Sequence, residues 1–426
     1  MHKYGRHVGW AAVIVIILSM GLAAPALIQE KAPADLLKAA DEMVQKVQEL
    51  RGLQAKSPVQ MGVKSREEIA KSLDEHVRED IDEGELQSEG RLLHKLGLLP
   101  PSVDYKDFTL KLLTEQVGGY YDPDKKTFFI AGWLPVDQQK PVMVHELTHA
   151  LQDQYFNLNK TLKEDRKLKN DDRVLARQAI FEGDGMAVML NFLLQPAGRE
   201  FSSLPNLVFI MQSQFSAMDS QFPIFKNAPV FMRETLLFPY GYGAAFLQRV
   251  WAKSPSWDAV NKIYSDLPVS TEQIMHPEKY LDTPRDDPKP VEFEDPVARL
   301  KGWKASYRNV LGELSIDLLL RLQLSEEQSK RAAAGWGGDQ VLLLENDSGK
   351  NAAFIATTWD TTDDVEEFYQ AMSTWLVHRY SKAHKSSETA DGFSLIQDGE
   401  YSSIHRDGMR VQALIGLPEA ESAKLK

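Results

Sequence analysis

The sequence of 426 residues contains no cysteine. This absence excludes disulfide bonds, cysteine nucleophiles and thiolate metal sites, so a transition metal must be held by His, Asp or Glu. Basic residues are outnumbered, with 49 Lys and Arg against 61 Asp and Glu, and the formal net charge is -12. We expect no nucleic-acid partner, because binding a phosphate backbone requires a basic face.

The N-terminal segment has the three parts of a secretory signal peptide: a basic head, an apolar run and a pair of small residues. These parts are Lys3, Arg6 and His7, then Val8 to Leu22, then Ala24-Pro25-Ala26. We therefore predict a signal peptide over residues 1–26. The alternative is an uncleaved membrane anchor over residues 8–28, which is just long enough to cross a bilayer. Both alternatives place the bulk of the chain outside the cytoplasm, either secreted, periplasmic or tethered to a membrane.

The spacing of apolar residues, and the Gly and Pro residues that interrupt it, divide the remainder of the chain into three parts. Residues 27–101 are predicted to form a helical module with helices over 34–50, 65–81 and 85–96, and a prosegment is the alternative. The second helix begins with a Ser65 and Glu68 capping box, and Gly97 ends the third. Residues 102–285 are predicted as the central domain. Residues 286–426 are predicted as a linker followed by a small α+β domain.

The central domain should begin with two strands, Val117–Tyr121 and Thr127–Ile130, around an Asp122-Pro123-Asp124 turn. Pro141 is expected to open a helix, and a second long helix is predicted over 173–194. The densely charged stretch 160–173 is predicted as a solvated loop. Helix breaks are expected at Pro223, Pro229 and Pro239. In the last domain we predict strands over 340–345, 354–358, 393–397 and 411–415, and a helix over 363–382.

The central domain carries the motif His145-Glu146-Leu147-Thr148-His149. Positions i and i+4 of an α-helix lie on one face, so both imidazoles can reach one ion. Glu146 lies beside that face, where its carboxylate can reach a water bound to the metal. The alternative is a surface helix with two unrelated histidines.

A catalytic zinc site usually has three protein ligands, so a third ligand is required. The longer motif with a third histidine is excluded, because the chain has Gln152 where it needs Gly and Tyr155 where it needs His. The third ligand must come from elsewhere in the chain. Glu182 is the best candidate, and its alternative role is a solvated helix charge.

The neighbours of Glu182 support this choice. Ala179 and Gly185 flank Glu182 on one helical face, where small side chains allow another helix to approach closely. A glycine inside a helix costs about 1 kcal/mol relative to alanine, so the glycines at 183 and 185 indicate that close approach matters. Asp184 is the competing ligand, although it lies about 200° around the helix from Glu182. Asp184 is alternatively predicted to support a ligating histidine from outside the ligand set.

The stretch from the strand pair to the second long helix resembles the gluzincin group of zinc metallopeptidases, which share the thermolysin-like arrangement. The match is closest over His145 to Ala150 and covers about eighty residues. The resemblance implies that His145, His149 and Glu182 bind one catalytic zinc ion and that Glu146 is the base. It also implies a mainly helical zincin-like domain with a small antiparallel hairpin or sheet. With the C-terminal domain, the expected fold class is α+β.

Two features depart from the thermolysin pattern. The segment between His149 and Glu182 is longer, and Met186 stands where the pattern has a supporting Asp. The resemblance further implies that a downstream His or Tyr stabilises the oxyanion, and the candidates are His276, Tyr240 and Tyr242. It also implies that an extended peptide pairs with the strand near Phe128 to Ala131.

These observations favour an exported zinc metallopeptidase acting on a peptide or protein substrate, with Glu146 activating a water molecule. One alternative is a non-catalytic extracytoplasmic binding protein on a zincin scaffold, with the C-terminal domain as the working part. Another is hydrolysis of a different amide, such as a cell-wall cross-link. The run Gly335-Trp336-Gly337-Gly338-Asp339 is predicted to be a tight turn with a buried indole.

Overall fold

The computed structural model describes residues 14–16, 33–80, 83–217 and 221–425. The predicted signal peptide or anchor lies outside these residues, apart from Ile14–Ile16, which form a short strand. No helix within the described ranges combines the length and the apolar character needed to cross a membrane. The fold belongs to the α+β class, as predicted, with a small mixed sheet, a predominantly helical centre and a larger antiparallel sheet.

The first part of the chain forms helices around the small sheet. Its elements are β1 (Ile14–Ile16), α1 (Pro33–Arg51), β2 (Gln60–Lys64), α2 (Arg66–Asp80), α3 (Glu83–Leu96), α4 (Tyr105–Gln116), β3 (Val117–Asp122) and β4 (Thr127–Ala131). The predicted capping box is confirmed, because the Ser65 amide donates to Glu68 and the Glu68 amide donates to the Ser65 hydroxyl. Gly97 follows α3 with a φ of 80°, which a residue without a side chain adopts readily.

The centre is helical. Its elements are α5 (Val136–Phe156), α6 (Leu158–Arg166), α7 (Asp171–Leu194), α8 (Leu207–Ala217), α9 (Pro223–Lys226), α10 (Val230–Lys253), α11 (Trp257–Ile263), α12 (Thr271–Met275) and α13 (Pro277–Leu281), with short 3-10 turns at Gln195–Ala197 and Phe201–Ser203. The predicted long helix over 173–194 is confirmed as α7.

The last part forms the larger sheet and its covering helices. Its elements are β5 (Trp303–Asn309), α14 (Gly312–Leu320), α15 (Glu326–Ala333), β6 (Trp336–Asn346), β7 (Asn351–Trp359), α16 (Thr362–Arg379), β8 (His384–Thr389), β9 (Gly392–Gln397), β10 (Glu400–Asp407), β11 (Arg410–Pro418) and α17 (Glu419–Ser422), with 3-10 turns at Pro296–Ala298 and Ala423–Leu425. All four predicted strands and the predicted helix are present. The indole of Trp336 is buried, as predicted, and donates to Asp339. The tight turn predicted over Gly335 to Asp339 was wrong, because Trp336 to Asp339 already belong to β6 and pair with β7.

Three local predictions in the helical centre were wrong. Helix α5 begins at Val136, so Pro141 lies inside it, and Pro239 likewise lies inside α10. A proline removes one backbone donor, and packing of the surrounding turns can outweigh that loss. The stretch predicted as a solvated loop contains most of α6, and its Asp165 is buried in ion pairs with Arg173 and Arg177.

The small sheet has the strand order β1-β3-β4-β2. β3 and β4 form the predicted antiparallel hairpin, and β2 pairs with β4 in parallel. The strand near Phe128 to Ala131 is therefore hydrogen-bonded to a strand on each side and has no free edge. The expectation that a peptide pairs along it was wrong. Because β2 comes from the predicted N-terminal module, the module and the central domain share one sheet. The predicted domain boundaries stay predictions.

The larger sheet is antiparallel throughout, with the order β5-β6-β7-β11-β10-β9-β8. One continuous apolar cluster runs from α1 through α5, α7 and α10 to the inner face of this sheet. A smaller cluster around Leu300 and Trp303 covers the other face. The helices α5 and α7 therefore lie deep in the molecule, where packing on all sides fixes their relative position.

Candidate metal centre

The histidines of the motif and the predicted third ligand meet between α5 and α7. His145 Nε2 lies 3.0 Å from Glu182 Oε2, and His149 Nε2 lies 3.4 Å from the same oxygen. The two histidine Nε2 atoms are 2.9 Å apart. His145 and His149 are completely buried, and Glu182 is 5% exposed. These three side chains, brought together from positions 37 residues apart, are called the metal centre below.

The donor atoms of the metal centre fit one small cation. Tetrahedral ligands at about 2.0–2.1 Å from zinc are separated from each other by about 3.3 Å, and the observed separations run from 2.9 to 3.4 Å. Two imidazole nitrogens that face each other can both direct lone pairs to one point when a cation lies there. In addition, the buried Glu146 Oε1, beside these ligand atoms, has no hydrogen-bond partner among the described residues. The site thus fits a zinc ion held by His145, His149 and Glu182.

Glu146 lies beside these ligands and is held by β3. Its Oε2 accepts a hydrogen bond from the backbone amide of Tyr121 at 2.7 Å. Its Oε1 is the unpartnered oxygen, and the side chain is completely buried. Burial raises the pKa of Glu146 well above its usual value. The carboxylate is therefore oriented by one oxygen, while the other is available to a reacting group.

The charges of the site are strongly coupled. Burial would raise the pKa of Glu182, but the neighbouring His149 and His145 lower it to about 2. Burial would lower the pKa of His149, but Glu182 raises it to about 9. Burial lowers the pKa of His145. Glu182 is therefore ionised, which a carboxylate needs in order to bind a cation.

Small residues on α7 create the close approach that the sequence predicted. A Cβ atom at Gly185 would lie 2.8–3.0 Å from three ring atoms of His145. A Cβ atom at Gly183 would lie 2.3 Å from the carbonyl carbon of Gly243 in α10, and one at Gly243 would lie 1.9 Å from Ala179 O. Real Cβ contacts are not this short, so a larger residue at these crossings would force its neighbour to shift. The prediction of close helix approach is confirmed, and α10 is a second partner of α7.

Asp184 has a different role from either one predicted for it. Its oxygens accept from Arg51 Nε at 2.7 Å, Arg51 Nη2 at 3.0 Å and the Tyr264 hydroxyl at 2.6 Å. Asp184 and Arg51 are both fully buried. The carboxylate is thus satisfied away from the histidines, because it projects from a different side of α7 than Glu182. The predictions of Asp184 as a ligand and as a support for a histidine were wrong.

The partner of His149 is Gln152, which sequence reasoning did not identify as a site residue. His149 Nδ1 lies 2.8 Å from Gln152 Oε1, and Gln152 Nε2 donates to Phe181 O at 3.1 Å. The available signal was its position three residues after His149, which places both side chains on one face of α5. Sequence reasoning used Gln152 only to exclude the longer zinc motif.

The three candidate oxyanion donors lie in different surroundings, and one of them lies near the metal centre. The ring centroid of Tyr240, from α10, lies 6.2 Å from that of His145. The Nε2 atom of His276 instead lies 2.8 Å from Oε1 of Glu313, which is at the start of α14. Tyr242 stacks on Phe238 with ring centroids 4.9 Å apart and borders a cavity with Glu234 and Arg321. The structure therefore brings Tyr240 to the metal centre, and it gives His276 and Tyr242 other partners.

A second group of carboxylates, from Glu272, Asp286 and Asp360, also converges to within 4.8 Å. The ammonium of Lys279 lies among them, at 2.5 Å from Glu272, 3.1 Å from Asp286 and 2.7 Å from Asp360. This group, called the lysine cluster below, joins α12 and α13 to the end of β7. Its cation is part of the protein, so it is an ion-pair network rather than a metal site.

Comparisons with known proteins give limited matches. None of the curated proteins matches the chain significantly. A solved structure, described as "a putative hydrolase with a novel fold from Chloroflexus aurantiacus", is 18% identical, with a TM-score of 0.37. The match covers 62% of this chain and 93% of that one. Residues 299–425 are similar to a family described as a domain of unknown function, DUF8575, which places α14, α15, α16 and the larger sheet within that likeness.

Proposed function

We propose that this protein is a zinc-dependent metallopeptidase that hydrolyses peptide bonds with Glu146 as the catalytic base. The observation that carries the proposal is the convergence of His145, His149 and Glu182 with Glu146 beside them. Two further points support it. The ligand atoms have the spacing that one tetrahedral ion requires, and the free oxygen of Glu146 is buried without a partner.

A bound zinc ion would polarise the scissile carbonyl and lower the pKa of a water molecule to about 7. Glu146 then acts through Oε1, since Oε2 is engaged by the Tyr121 amide. Oε1 takes a proton from the attacking water and returns it to the leaving amine. Burial raises the pKa of Glu146, which makes its carboxylate a stronger base toward the attacking water.

Tyr240 is the chain's candidate for stabilising the oxyanion. It is 4% exposed and lies on α10, which is locked against α7 by the Gly183 and Gly243 contact. A phenol donor held by a rigid helix pair would need little reorganisation to stabilise the oxyanion during the reaction. Tyr240→Phe should lower kcat for peptide hydrolysis while leaving the bound zinc unchanged.

The proposal includes an extracytoplasmic location, reached through the N-terminal segment. Its basis is the sequence pattern of residues 1–26, with an anchor over residues 8–28 as the alternative. Mass spectrometry of the protein recovered outside the cytoplasm checks this directly. A mature N-terminus at Leu27 supports cleavage, and an intact N-terminus in a membrane fraction supports the anchor.

Zinc analysis and peptide digestion of three variants test the function. The wild-type protein should bind one zinc ion per chain and cleave members of a peptide library. Glu146→Gln should keep the zinc and lose hydrolysis by about 10²–10⁴-fold, whereas His149→Ala should lose the zinc itself. Glu42→Gln, an exposed change on α1, is the matched control and should alter neither. Full hydrolysis by Glu146→Gln would refute the base, and a wild-type protein that binds zinc but cleaves no peptide would favour a binding protein.

A further inference from the structure

We propose that Gln152 is a positioning residue for the metal centre, which sets the tautomer and the ring orientation of His149. The inference rests on the proposed zinc site but concerns a residue outside the ligand set. The thermolysin-like pattern would place the supporting group on the helix that carries the glutamate ligand. In this chain the support comes from the histidine helix itself, through the side chain one turn after His149.

The geometry of the Gln152 amide leaves one consistent assignment. Its Nε2 group donates to Phe181 O, because a backbone carbonyl can only accept. Its Oε1 atom therefore faces His149 Nδ1 at 2.8 Å, and an amide oxygen can only accept. Nδ1 must then carry the proton of that contact. In the neutral imidazole this leaves the lone pair on Nε2, the atom that points to His145 and Glu182.

Gln152 also joins the two helices that supply the ligands. Phe181, whose carbonyl it binds, is the residue before Glu182 on α7. One side chain thus contacts a histidine ligand on α5 and the backbone beside the carboxylate ligand on α7. Gln152 is fully buried, so water does not compete for either contact. Displacement of this amide would loosen the position of both ligands together.

The two histidines are held in different ways. His149 has a hydrogen-bond acceptor at Nδ1, whereas His145 Nδ1 has no partner among the described residues. The ring of His145 is instead confined by close contact with Gly185. The orientation of His149 should therefore depend on one hydrogen bond. A single substitution of Gln152 should change it without changing the orientation of His145. Loss of a partner of this kind typically costs 10- to 100-fold in metal affinity.

Three variants of the full-length protein test the role of Gln152. Gln152→Leu removes both contacts at similar size and should weaken zinc binding by about 10- to 100-fold. Gln152→Glu keeps an acceptor for Nδ1–H and should retain affinity within a few-fold. Gln139→Leu is the matched control, because Gln139 lies on the same helix, is 1% exposed and donates only to Ala131 O and Leu134 O. It should lose stability without losing zinc affinity.

Two readouts separate positioning from general stability. Zinc affinity is measured by competition with a chromophoric chelator, and the His149 tautomer is read from imidazole nitrogen chemical shifts. In the metal-free proteins, at a pH where the His149 imidazole is neutral, wild type and Gln152→Glu should show a protonated Nδ1, and Gln152→Leu should lose that preference. If the wild-type protein binds zinc and Gln152→Leu binds it equally well, the positioning role is overturned while the metal centre stands. If the wild-type protein binds no zinc, the proposed function fails together with this inference.

Discussion

The metal centre and the lysine cluster each hold a buried glutamate, and they differ in the positive charge that compensates it. In each, three potential ligands converge until their atoms lie within 4.8 Å of one another. In the lysine cluster, Lys279 supplies a positive charge that contacts all three carboxylates. In the metal centre, Glu182 contacts two imidazoles, which are neutral when they ligate a metal.

This difference shows why converging acidic groups are a weak sign of a metal site. Uncompensated buried charges are expensive, so a protein must either provide a cation or bind one. The carboxylate oxygens make the same distinction. Glu146 Oε1, beside the metal centre, is buried without a hydrogen-bond partner among the described residues, whereas each carboxylate of the lysine cluster contacts an ammonium. We therefore expect metal dependence in one place and charge-pair dependence in the other.

The largest expected contrast comes from removing one carboxylate from each group. Glu182→Ala deletes a ligand and should leave no zinc bound after dialysis, whereas Glu272→Ala should retain one zinc ion per chain. Zinc content of the two purified variants measures this. Loss of zinc from Glu272→Ala, in a protein that remains folded by circular dichroism, would contradict the separation of the two groups.

Removal of the built-in cation should destabilise the protein without affecting metal. Lys279→Met leaves Glu272, which is 1% exposed, without its partner. Breaking a buried ion pair by removing one member costs about 3–5 kcal/mol, and we expect about 2–3 kcal/mol here because the Lys279 side chain is 21% exposed.

The free energy of unfolding from denaturant titration measures this effect, with zinc content recorded in parallel. Lys301→Met, an exposed change before β5, is the control and should stay within about 0.5 kcal/mol of wild type. An equally stable Lys279→Met protein would mean that the carboxylates share a proton instead of needing the ammonium.

Much of this arrangement was predictable from the sequence, because its determinants are local. The spacing of His145 and His149 fixes both on one face of α5, and the glycines near Glu182 indicated a close crossing. The hairpin β3–β4 and four of the seven strands of the larger sheet, β6, β7, β9 and β11, followed from alternation and turn residues, whereas β5, β8 and β10 were missed.

The missed features depend on tertiary contacts. Arg51 reaches Asp184 across 133 residues, and Glu313 reaches His276 across 37. Neither pair has a local signal. The roles of His276 and Tyr242 were assigned from chain position alone, and that of Asp184 from its angle around the helix. Neither determines which side of a helix meets which neighbour. β2 was missed for a related reason, since its pairing with β4 joins segments over sixty residues apart.

A smaller effect is expected from the packing that holds the metal centre. Gly185→Ala places a methyl group 2.8–3.0 Å from the His145 ring, so the imidazole must shift. We expect zinc affinity to fall by about 10-fold, by analogy with loss of an orienting contact. Gly241→Ala on α10 is the matched control, because its nearest contact would be an ordinary 3.6 Å. It should leave zinc affinity unchanged, and an unaffected Gly185→Ala protein would show that the ring has room to move.

The smallest expected effect lies beside the lysine cluster, at His276. The hydrogen bond to Glu313 raises the pKa of His276, against the opposing effect of burial. A group with a raised folded pKa stabilises the protein fully below its unfolded pKa of about 6.5 and loses that contribution as pH rises through the folded value. His276→Gln keeps a donor for Glu313 but cannot become charged. The variant should be less stable than wild type at pH 6 by up to about 1 kcal/mol, and this difference should shrink toward pH 9. Chemical denaturation at both pH values, with exposed His384→Gln as the control, measures it, and a deficit that grows with pH would reverse the assigned sign.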